Sequence, residues 1–153
     1  MSVRQTLGAD FSHSTRIIKS LPDGHPGCVN INSCFVDVRD VADLHLLAMT
    51  DPAANGERFL ATAGASLRMI EVASVLRDGF GAVVDKVPSN VWPDEEVRKH
   101  PGMKSVAPLL GIDMNATSAK AIRQLGWKPR SSEEAIIASA ERFLGLGLMD
   151  GQA

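Results

Sequence analysis

Three aspartates form the most regular cluster of chemically capable side chains in this sequence. Asp37, Asp40 and Asp43 recur at every third residue, a spacing that could suggest a cation site. The residues between them include Val38 and Val41, and no glycine supplies the sharp turn that a calcium-binding loop requires. We therefore interpret the aspartates as helix-capping residues and predict no metal site.

The histidines and cysteines offer little further chemistry. The four histidines are widely separated, and no Cys or His pair has the spacing of zinc ligands. Cys34 could act as a nucleophile only if the fold brought a histidine to it, and a buried strand cysteine is the simpler interpretation. His45 is interpreted as a helix residue rather than a base. These considerations predict no catalytic residue.

Composition limits the classes of partner. With 153 residues, 44% of them apolar and 22% charged, the chain is expected to form one globular domain. A net charge of -2 without basic runs argues against nucleic acid and against a membrane surface. No apolar run reaches the length of a membrane span, and residues 1–10 do not resemble a signal peptide. We therefore expect a cytoplasmic protein in which Cys28 and Cys34 are free thiols.

The elements that must position these residues alternate between strand and helix patterns. Residues 13–21 have apolar residues at helical spacing and end at a Pro-Asp-Gly turn. Residues 31–38 are rich in β-branched and aromatic residues, which predicts a strand. The next segment, 40–49, predicts a helix with Asp40 as its N-cap. Apolar residues surround most of its axis, so we expect it to be buried on more than one side.

The middle of the chain predicts two further strands and another helix. Residues 58–62 form a short apolar run of the kind found in buried parallel strands. Residues 67–78 carry one apolar stripe at helical spacing, followed by the stop residues Gly79 and Gly81. Residues 82–87 predict a strand. Three prolines interrupt residues 89–112, where we expect short helices and loops.

Two helices close the chain. Ser118 can cap a helix that runs through Leu125 and ends at Gly126. The spacing of Ser131 and Glu134 is that of a capping box, which predicts the start of the last helix.

Three motifs, met in a fixed order, resemble a known family. They are Phe-Val-Asp-Val-Arg-Asp-Val-Ala-Asp-Leu at 35–44, Gly-Glu-Arg-Phe-Leu-Ala-Thr-Ala-Gly at 56–64, and Ser118-x-Lys-Ala followed by Leu-Gly-Trp-x-Pro at 125–129. Their order and spacing are similar to the C-terminal part of extended short-chain dehydrogenase/reductases. The resemblance runs from about residue 7 to residue 148 and is closest to the dihydroflavonol-reductase-like and NAD-dependent epimerase/dehydratase members.

The resemblance implies an α/β fold of few short strands with packed helices. It further implies that residues 1–153 form one partial domain, the C-terminal substrate-side portion of an extended Rossmann-type enzyme. The dinucleotide-binding part would then precede this chain. In full-length members that part binds NAD or NADP.

The family's catalytic and cofactor-binding motifs have no counterpart here. Family members use a glycine-rich turn that opens a helix, and a Tyr-x-x-x-Lys pair in which the tyrosine donates a proton. This chain contains no tyrosine, and its spaced glycine pairs, Gly79/Gly81 and Gly145/Gly147, follow helix patterns. We therefore expect this chain alone to bind no cofactor and to have no catalytic activity.

By resemblance, two segments approach the substrate pocket. The candidate pocket residues are Ser33, Cys34 and Phe35 in the first segment and Ala63, Gly64 and Ser66 in the second. The implied function is substrate binding within an NAD(P)-dependent oxidoreductase that acts on a small carbonyl or alcohol. The alternative is a non-catalytic interaction or oligomerisation module. In either case we expect self-association or a companion N-terminal half, because the 41–49 helix and the 58–62 strand need covering layers.

Overall fold

The computed structural model describes residues 2–3, 13–23 and 25–149. Within these residues the strands are β1 (Ser2–Val3), β2 (Asn32–Ser33), β3 (Val36–Asp37) and β4 (Leu67–Arg68). The α-helices are α1 (His13–Ser20), α2 (Val38–Thr50), α3 (Met69–Phe80), α4 (Asp94–Lys99), α5 (Ala119–Leu125) and α6 (Ser132–Gly145). Short 3-10 helices connect them at Leu21–Asp23, Pro52–Ala54, Gly81–Val84, Pro101–Met103 and Ala107–Leu109.

The strands form two small pairs. β1 runs parallel to β3, with Ser2 opposite Val36, whereas β2 is antiparallel to β4, with Ser33 opposite Leu67. The strand predicted over 31–38 is therefore two short strands with different partners. Residues 34–35 separate the two strands, which belong to different sheets.

Helices α1, α3 and α6 enclose the main core. The apolar stripe predicted for α3 at Met69, Ala73, Leu76 and Phe80 is confirmed: the first three are buried and Phe80 is half-buried. They pack with residues such as Ile136 and Phe143 of α6. The 3.6-residue period of both helices explains this packing, because residues three and four apart share one face. We call this unit the α1–α3–α6 layer.

A second, smaller core lies between α2 and α5. Its buried residues are Val36, Leu44, Ala121, Leu125 and Trp127. Trp127 follows the glycine that ends α5, and its indole Nε1 donates a hydrogen bond to the backbone oxygen of Asp40 at 2.8 Å. We call this unit the α2–α5 layer.

The start of α2 corrects one prediction. Asp37, not Asp40, is the N-cap, and its carboxylate accepts a hydrogen bond from the Arg39 backbone N–H at 2.8 Å. Asp40 instead lies in the first turn, faces the interior, and forms an ion pair with Arg130 while accepting the Arg130 backbone N–H at 2.8 Å. Arg130 lies far away in the sequence, so local spacing could not indicate this partner.

Asp37 also accepts hydrogen bonds from the side chain and the backbone of Arg39. Burial raises the pKa of the Asp37 carboxyl, but side-chain and backbone hydrogen bonds from Arg39 outweigh burial and keep that pKa below its ordinary value. The guanidinium contacts are 2.9 Å from Nε and 2.7 Å from Nη2. Asp37 is therefore ionised at neutral pH and stabilises the start of α2.

Two predicted strands are wrong. Residues 58–62 are not a strand, because no described residue supplies backbone hydrogen bonds along 58–61. Residues 82–87 are not a strand either. They begin within the 3-10 helix Gly81–Val84 and continue as a turn, in which the Val87 N–H donates a hydrogen bond to the Val84 oxygen. Gly81 ends α3 with a positive φ of 53°, and this reversal leads into the 3-10 turn.

Two further expectations are wrong: α2 is buried along one face only, at Asp40 and Leu44, and Gly79 lies inside α3, which ends at Gly81. The other local predictions are confirmed, with one change of role. Residues 89–112 contain only α4, two 3-10 helices and loops among their elements. Ser131 and Glu134 form the capping box of α6, and Gly126 ends α5 in the left-handed conformation. Ser118 precedes α5 as expected, but its hydroxyl donates to the Thr62 oxygen at 2.8 Å instead of capping the helix. None of the described helices has the length and apolar character to cross a membrane.

Candidate functional site

The candidate site lies where β2 and β4 meet the chain segment 110–115. The antiparallel pairing of the two strands brings Asn32 opposite Arg68, and Ser66 immediately precedes β4. The 110–115 segment is held against β2 by two hydrogen bonds, Gly111 N–H to the Asn30 oxygen and Met114 N–H to Asn32 Oδ1, both 2.9 Å.

Asn32 is the centre of a polar network. Its Nδ2 donates to the Ser66 hydroxyl at 3.3 Å and to Asp113 Oδ1. Ser66 in turn donates to Asn115 Oδ1 at 3.3 Å, and Asn115 Nδ2 donates to Asp113 Oδ2 at 3.1 Å. Because every polar atom of the largely buried Asn32 side chain is paired, the network fixes the 110–115 segment on β2.

Two cavities open beside this network. The first has a volume of about 60 Å³ and is mainly apolar; its lining residues are Ile17, Ile31, Asn32, Ser33, Leu109, Ile112 and Met114. The second has a volume of about 330 Å³ and is more polar; its lining residues are Asn30, Ile31, Asn32, Arg68, Gly111, Ile112 and Asp113. Because Ile31, Asn32 and Ile112 line both, the two cavities are neighbours.

The charges at the polar cavity are partly paired. Arg68 Nη2 lies 3.1 Å from Glu71 Oε1, and the Arg68 backbone N–H donates to Glu71 Oε2 at 2.7 Å. The side-chain hydrogen bond to Glu71 raises the pKa of Arg68, and the same bond lowers the pKa of Glu71. Both groups are therefore charged at neutral pH, and Asp113 adds a further carboxyl group to the lining of this cavity.

The structure brings some of the six predicted pocket residues to these cavities. Ser33 lines the apolar cavity directly. Ser66 belongs to the polar network, and the Cys34 thiol donates to the backbone oxygen of Met114 at 3.6 Å. All three lie within one region around β2.

The other three predicted residues line neither of these cavities. Phe35 is fully buried in the main core, and its oxygen accepts the Ala63 N–H at 2.8 Å. The Ala63 oxygen accepts from the Ser132 hydroxyl at 2.7 Å. Gly64 adopts a positive φ of 100° in an exposed turn, which its lack of a side chain permits. These contacts connect residues 62–64 to α6 and to the end of β2.

Sequence reasoning missed the residues that organise the site. Asn32, Asp113 and Met114 were not candidates, although alternation of Asn30 and Asn32 with Ile31 gave a signal of a two-sided strand. The 110–115 segment follows three prolines and carries no periodic pattern. Its contact with β2 could be found only from the fold.

The two cysteines form no disulfide and lie in different surroundings. Cys28 is buried, and desolvation raises the pKa of its thiol while the nearby Arg77 works against that shift. It donates to the Pro88 oxygen at 3.7 Å. Cys34 is half-buried at the edge of the site. The described residues contain no group of three or more potential metal ligands.

Comparison with known proteins gives matches at the level of structure. No family model matches the chain, and no curated protein matches its sequence. The yeast methylglyoxal/isovaleraldehyde reductase Gre2 in complex with NADPH matches with a TM-score of 0.69 and 22% identity, over 95% of this chain and 45% of Gre2. The Candida albicans Gre2 complex with NADPH matches with a TM-score of 0.64 and 25% identity, over 95% and 41% respectively.

A third match comes from a different enzyme. WbmG of Bordetella bronchiseptica, in complex with NAD and UDP, matches with a TM-score of 0.61 and 17% identity, over 96% of this chain and 42% of WbmG. This chain thus has the fold of the C-terminal part of an extended short-chain dehydrogenase/reductase, as its sequence predicts. It spans less than half the length of each of these three structures.

Proposed function

We propose that this chain forms the substrate-binding side of an NAD(P)-dependent oxidoreductase of the dihydroflavonol-reductase/epimerase type, and that it is not catalytic alone. The observation that carries the proposal is the fold, which covers nearly all of this chain and less than half of reductases whose structures hold NADPH. The cavities beside β2 supply a place for a small-molecule substrate.

The chemistry of the chain supports the non-catalytic part of the proposal. The sequence contains no tyrosine, so it cannot supply the phenolic proton donor of the family. Gly81, Gly126 and Gly147, all with positive φ, lie after the ends of α3, α5 and α6. A dinucleotide phosphate requires glycines before a helix, where N–H groups point outward. The cofactor cradle would therefore come from residues outside this chain.

Two exposed features of the α2–α5 layer are suited to receive that missing part. Leu46 and Met49 on α2 are 61% and 81% exposed, and Leu60 is 53% exposed. Along residues 58–61 the backbone N–H and C=O groups form no hydrogen bonds with any described residue. We define Leu46, Met49 and residues 58–61 as the open face. A strand and an apolar layer of a dinucleotide-binding part would satisfy both features.

The coding sequence on the 5′ side of the Met1 codon tests this origin. The proposal expects a reading frame that encodes a glycine-rich turn and a Tyr-x-x-x-Lys pair. Co-expression of that segment with the 153-residue chain should give NAD(P)-dependent reduction of a small aldehyde or ketone. Turnover by the homogeneous chain alone, or a 5′ frame without either motif, would contradict the proposal.

The second candidate function is a non-catalytic oligomerisation module. The open face favours it too, because a two-fold copy of the chain could pair its 58–61 edges and cover the exposed α2 residues. Light scattering coupled to size exclusion across a dilution series distinguishes the two functions. Stable self-association without cofactor, together with inactivity in the co-expressed pair, would favour the module.

We also propose that the protein acts in the cytoplasm. Neither cysteine forms a disulfide, which suits a reducing compartment. Fractionation of the source cells with marker enzymes would test the location, and recovery with an exported marker would contradict it.

A further inference from the structure

A third cavity is lined by residues of α1, by residues between 25 and 31, and by the first residue of α3. It has a volume of about 110 Å³ and is mainly apolar. None of the six predicted pocket residues lines it, and it shares only Ile17 and Ile31 with the apolar cavity beside Ser33. We call it the α1 cavity. It is a separate space that the proposed function does not use.

One wall of the α1 cavity is formed by the chain at Gly27 and Cys28. The Cys28 N–H donates to the Asn90 oxygen at 2.8 Å, and the Trp92 N–H donates to the Cys28 oxygen at 2.9 Å. A Cβ atom at position 27 would lie 2.7 Å from the Trp92 nitrogen, so only glycine permits this approach. These contacts hold the wall in place against the segment that precedes α4.

The polar side chains that line the α1 cavity interact with the protein itself. The Ser20 hydroxyl and the Cys28 thiol donate to backbone oxygens at 3.0 and 3.7 Å. Burial raises the pKa of the Cys28 thiol, so this group is uncharged at neutral pH. The His25 ring stacks against the ring of Trp92. Because a water molecule in a cavity needs about two to four polar partners, these walls favour an apolar occupant.

Three of the side chains that line this cavity carry sulfur. Cys28 and Met69 are 1% and 2% exposed, whereas Met103 is half-buried, so the cavity has a buried end and an end near the surface. Sulfur atoms make favourable contacts with aromatic rings, often at the ring edge and about 5 Å from the ring. Several sulfur atoms in an otherwise aliphatic wall therefore favour an aromatic ring over a saturated one.

The volume of the α1 cavity limits this ligand to one ring. A dry engineered cavity of about 150 Å³ accepts benzene. The α1 cavity is smaller, but Ser20 and His25 among its lining residues are half-buried, so part of a ligand can remain in solvent there. One six-membered ring with a short substituent fits this space, whereas a fused ring system does not.

We propose that the α1 cavity binds a small compound with one aromatic ring, which contacts the sulfur atoms of Cys28, Met69 and Met103. The site requires neither a carbonyl nor a hydroxyl group on its ligand. It therefore differs from a site for a carbonyl or alcohol substrate, and the proposal does not depend on the proposed function.

The test is an NMR titration of the 153-residue chain with anisole, after isotope labelling of its six methionine methyl groups. Met69 and Met103 line the α1 cavity, whereas Met114 lines the apolar cavity beside Ser33. The ring current of bound anisole should shift the Met69 and Met103 signals saturably. The signals of Met114 and of the exposed Met49 should not change. Absence of saturable shifts at Met69 and Met103, or shifts at Met114 instead, would overturn the proposal.

Methoxycyclohexane is the matched ligand, because it carries the same substituent on a saturated ring. In competition, measured as loss of the anisole-induced shifts, anisole should bind about fivefold more tightly, since only the aromatic ring gains from the sulfur contacts. Equal affinities, or tighter binding of the saturated ring, would overturn the proposal.

Variants place the ligand in the α1 cavity. Ser20→Leu fills part of the space and should abolish saturable anisole binding. Its matched control is Ser74→Leu, at a half-buried helix serine outside all three cavities, which should bind anisole like the unmodified chain. Unchanged anisole affinity in a folded Ser20→Leu variant would overturn the proposal.

A second pair of variants tests the sulfur contacts and serves if Ser20→Leu does not fold. Met103→Leu keeps most of the apolar volume and removes one sulfur atom, so it should weaken anisole binding about twofold and leave methoxycyclohexane binding unchanged. Met114→Leu, outside the α1 cavity, should change neither affinity. Equal effects of the two methionine variants on anisole would overturn the proposal.

Discussion

The α1–α3–α6 layer and the α2–α5 layer differ in how completely each encloses its apolar residues. In the first, the inward faces of α3 and α6 meet each other, and residues such as Leu76 and Ile136 have no exposed area. In the second, α2 buries Leu44 against Trp127 but presents Leu46 and Met49 to solvent. The first layer buries its apolar residues between its own helices, whereas the second buries apolar residues on its inner side and exposes others on the open face.

This difference explains why the strand predicted at residues 58–62 does not form. Residues 58–62 lie in the α2–α5 layer, where Phe59 and Ala61 pack inward while Leu60 points outward. The period-two alternation is that of a strand, but a strand also requires a hydrogen-bonding neighbour. We therefore propose the open face as the place where a further strand would pair with this chain.

The largest expected effect comes from truncating side chains in the two layers. Leu76→Ala should destabilise the chain by about 2 to 5 kcal/mol, because it leaves a cavity in the closed core. Leu47→Ala, at a half-buried position in the α2–α5 layer, should cost about 1 kcal/mol, in proportion to its smaller buried area. Urea unfolding measures both. Equal losses would show that the second layer is as well enclosed as the first.

The next effect concerns the ion pair that ties α2 to the segment before α6. Asp40→Ala removes the partner of the Arg130 side chain and of its backbone N–H, and should cost about 1 to 3 kcal/mol. The matched control is Asp43→Ala on the exposed side of the same helix, which should change stability by less than about 0.5 kcal/mol. Similar midpoints for the two variants would rule out a structural role for the pair.

A smaller, pH-dependent effect is expected at Asp37. Asn also caps helices, so Asp37→Asn removes the charge and keeps the cap. Loss of the charge should lower the free energy of unfolding by about 1 kcal/mol at neutral pH. The effect is small because solvent screens the half-exposed Arg39. Because the folded pKa of Asp37 lies below the unfolded value, this contribution is fully present above about pH 4. It should disappear as the pH falls through the folded pKa. A difference between the proteins that persisted unchanged in acid would contradict the assignment.

The smallest effect on stability, but a clear one on assembly, is expected at the open face. Leu46→Lys with Met49→Lys should change the free energy of unfolding by less than about 0.5 kcal/mol, since both side chains are exposed. If copies associate through this face, the apparent mass should fall toward the 16.3 kDa of one chain. Val91→Lys, at an exposed position elsewhere, is the control. An unmodified chain that stays at 16.3 kDa on every dilution would exclude self-association.

Local patterns predicted what depends on local physics. The stripe of α3 and the capping box at Ser131 require only residues within a turn or two, and both are confirmed. The local pattern predicted a capping role for Asp40. It could not indicate the actual partner, Arg130, because Arg130 lies 90 residues further along the chain. Likewise, the sequence made Ser33 a candidate but missed the neighbouring Asn32. The contact of Asn32 with Asp113 joins positions 81 residues apart. Such contacts follow from the packing of whole elements, which no short motif encodes.

Calorimetric titration of the homogeneous 153-residue chain with NADPH tests the central claim most directly. The claim is that this chain provides a substrate side without a dinucleotide cradle. The expected result is no saturable binding stronger than about millimolar affinity, because none of the helices in the described part of the chain begins at a glycine-rich turn that could receive the pyrophosphate. Saturable binding at micromolar affinity would show a cofactor site within these residues and would contradict the claim.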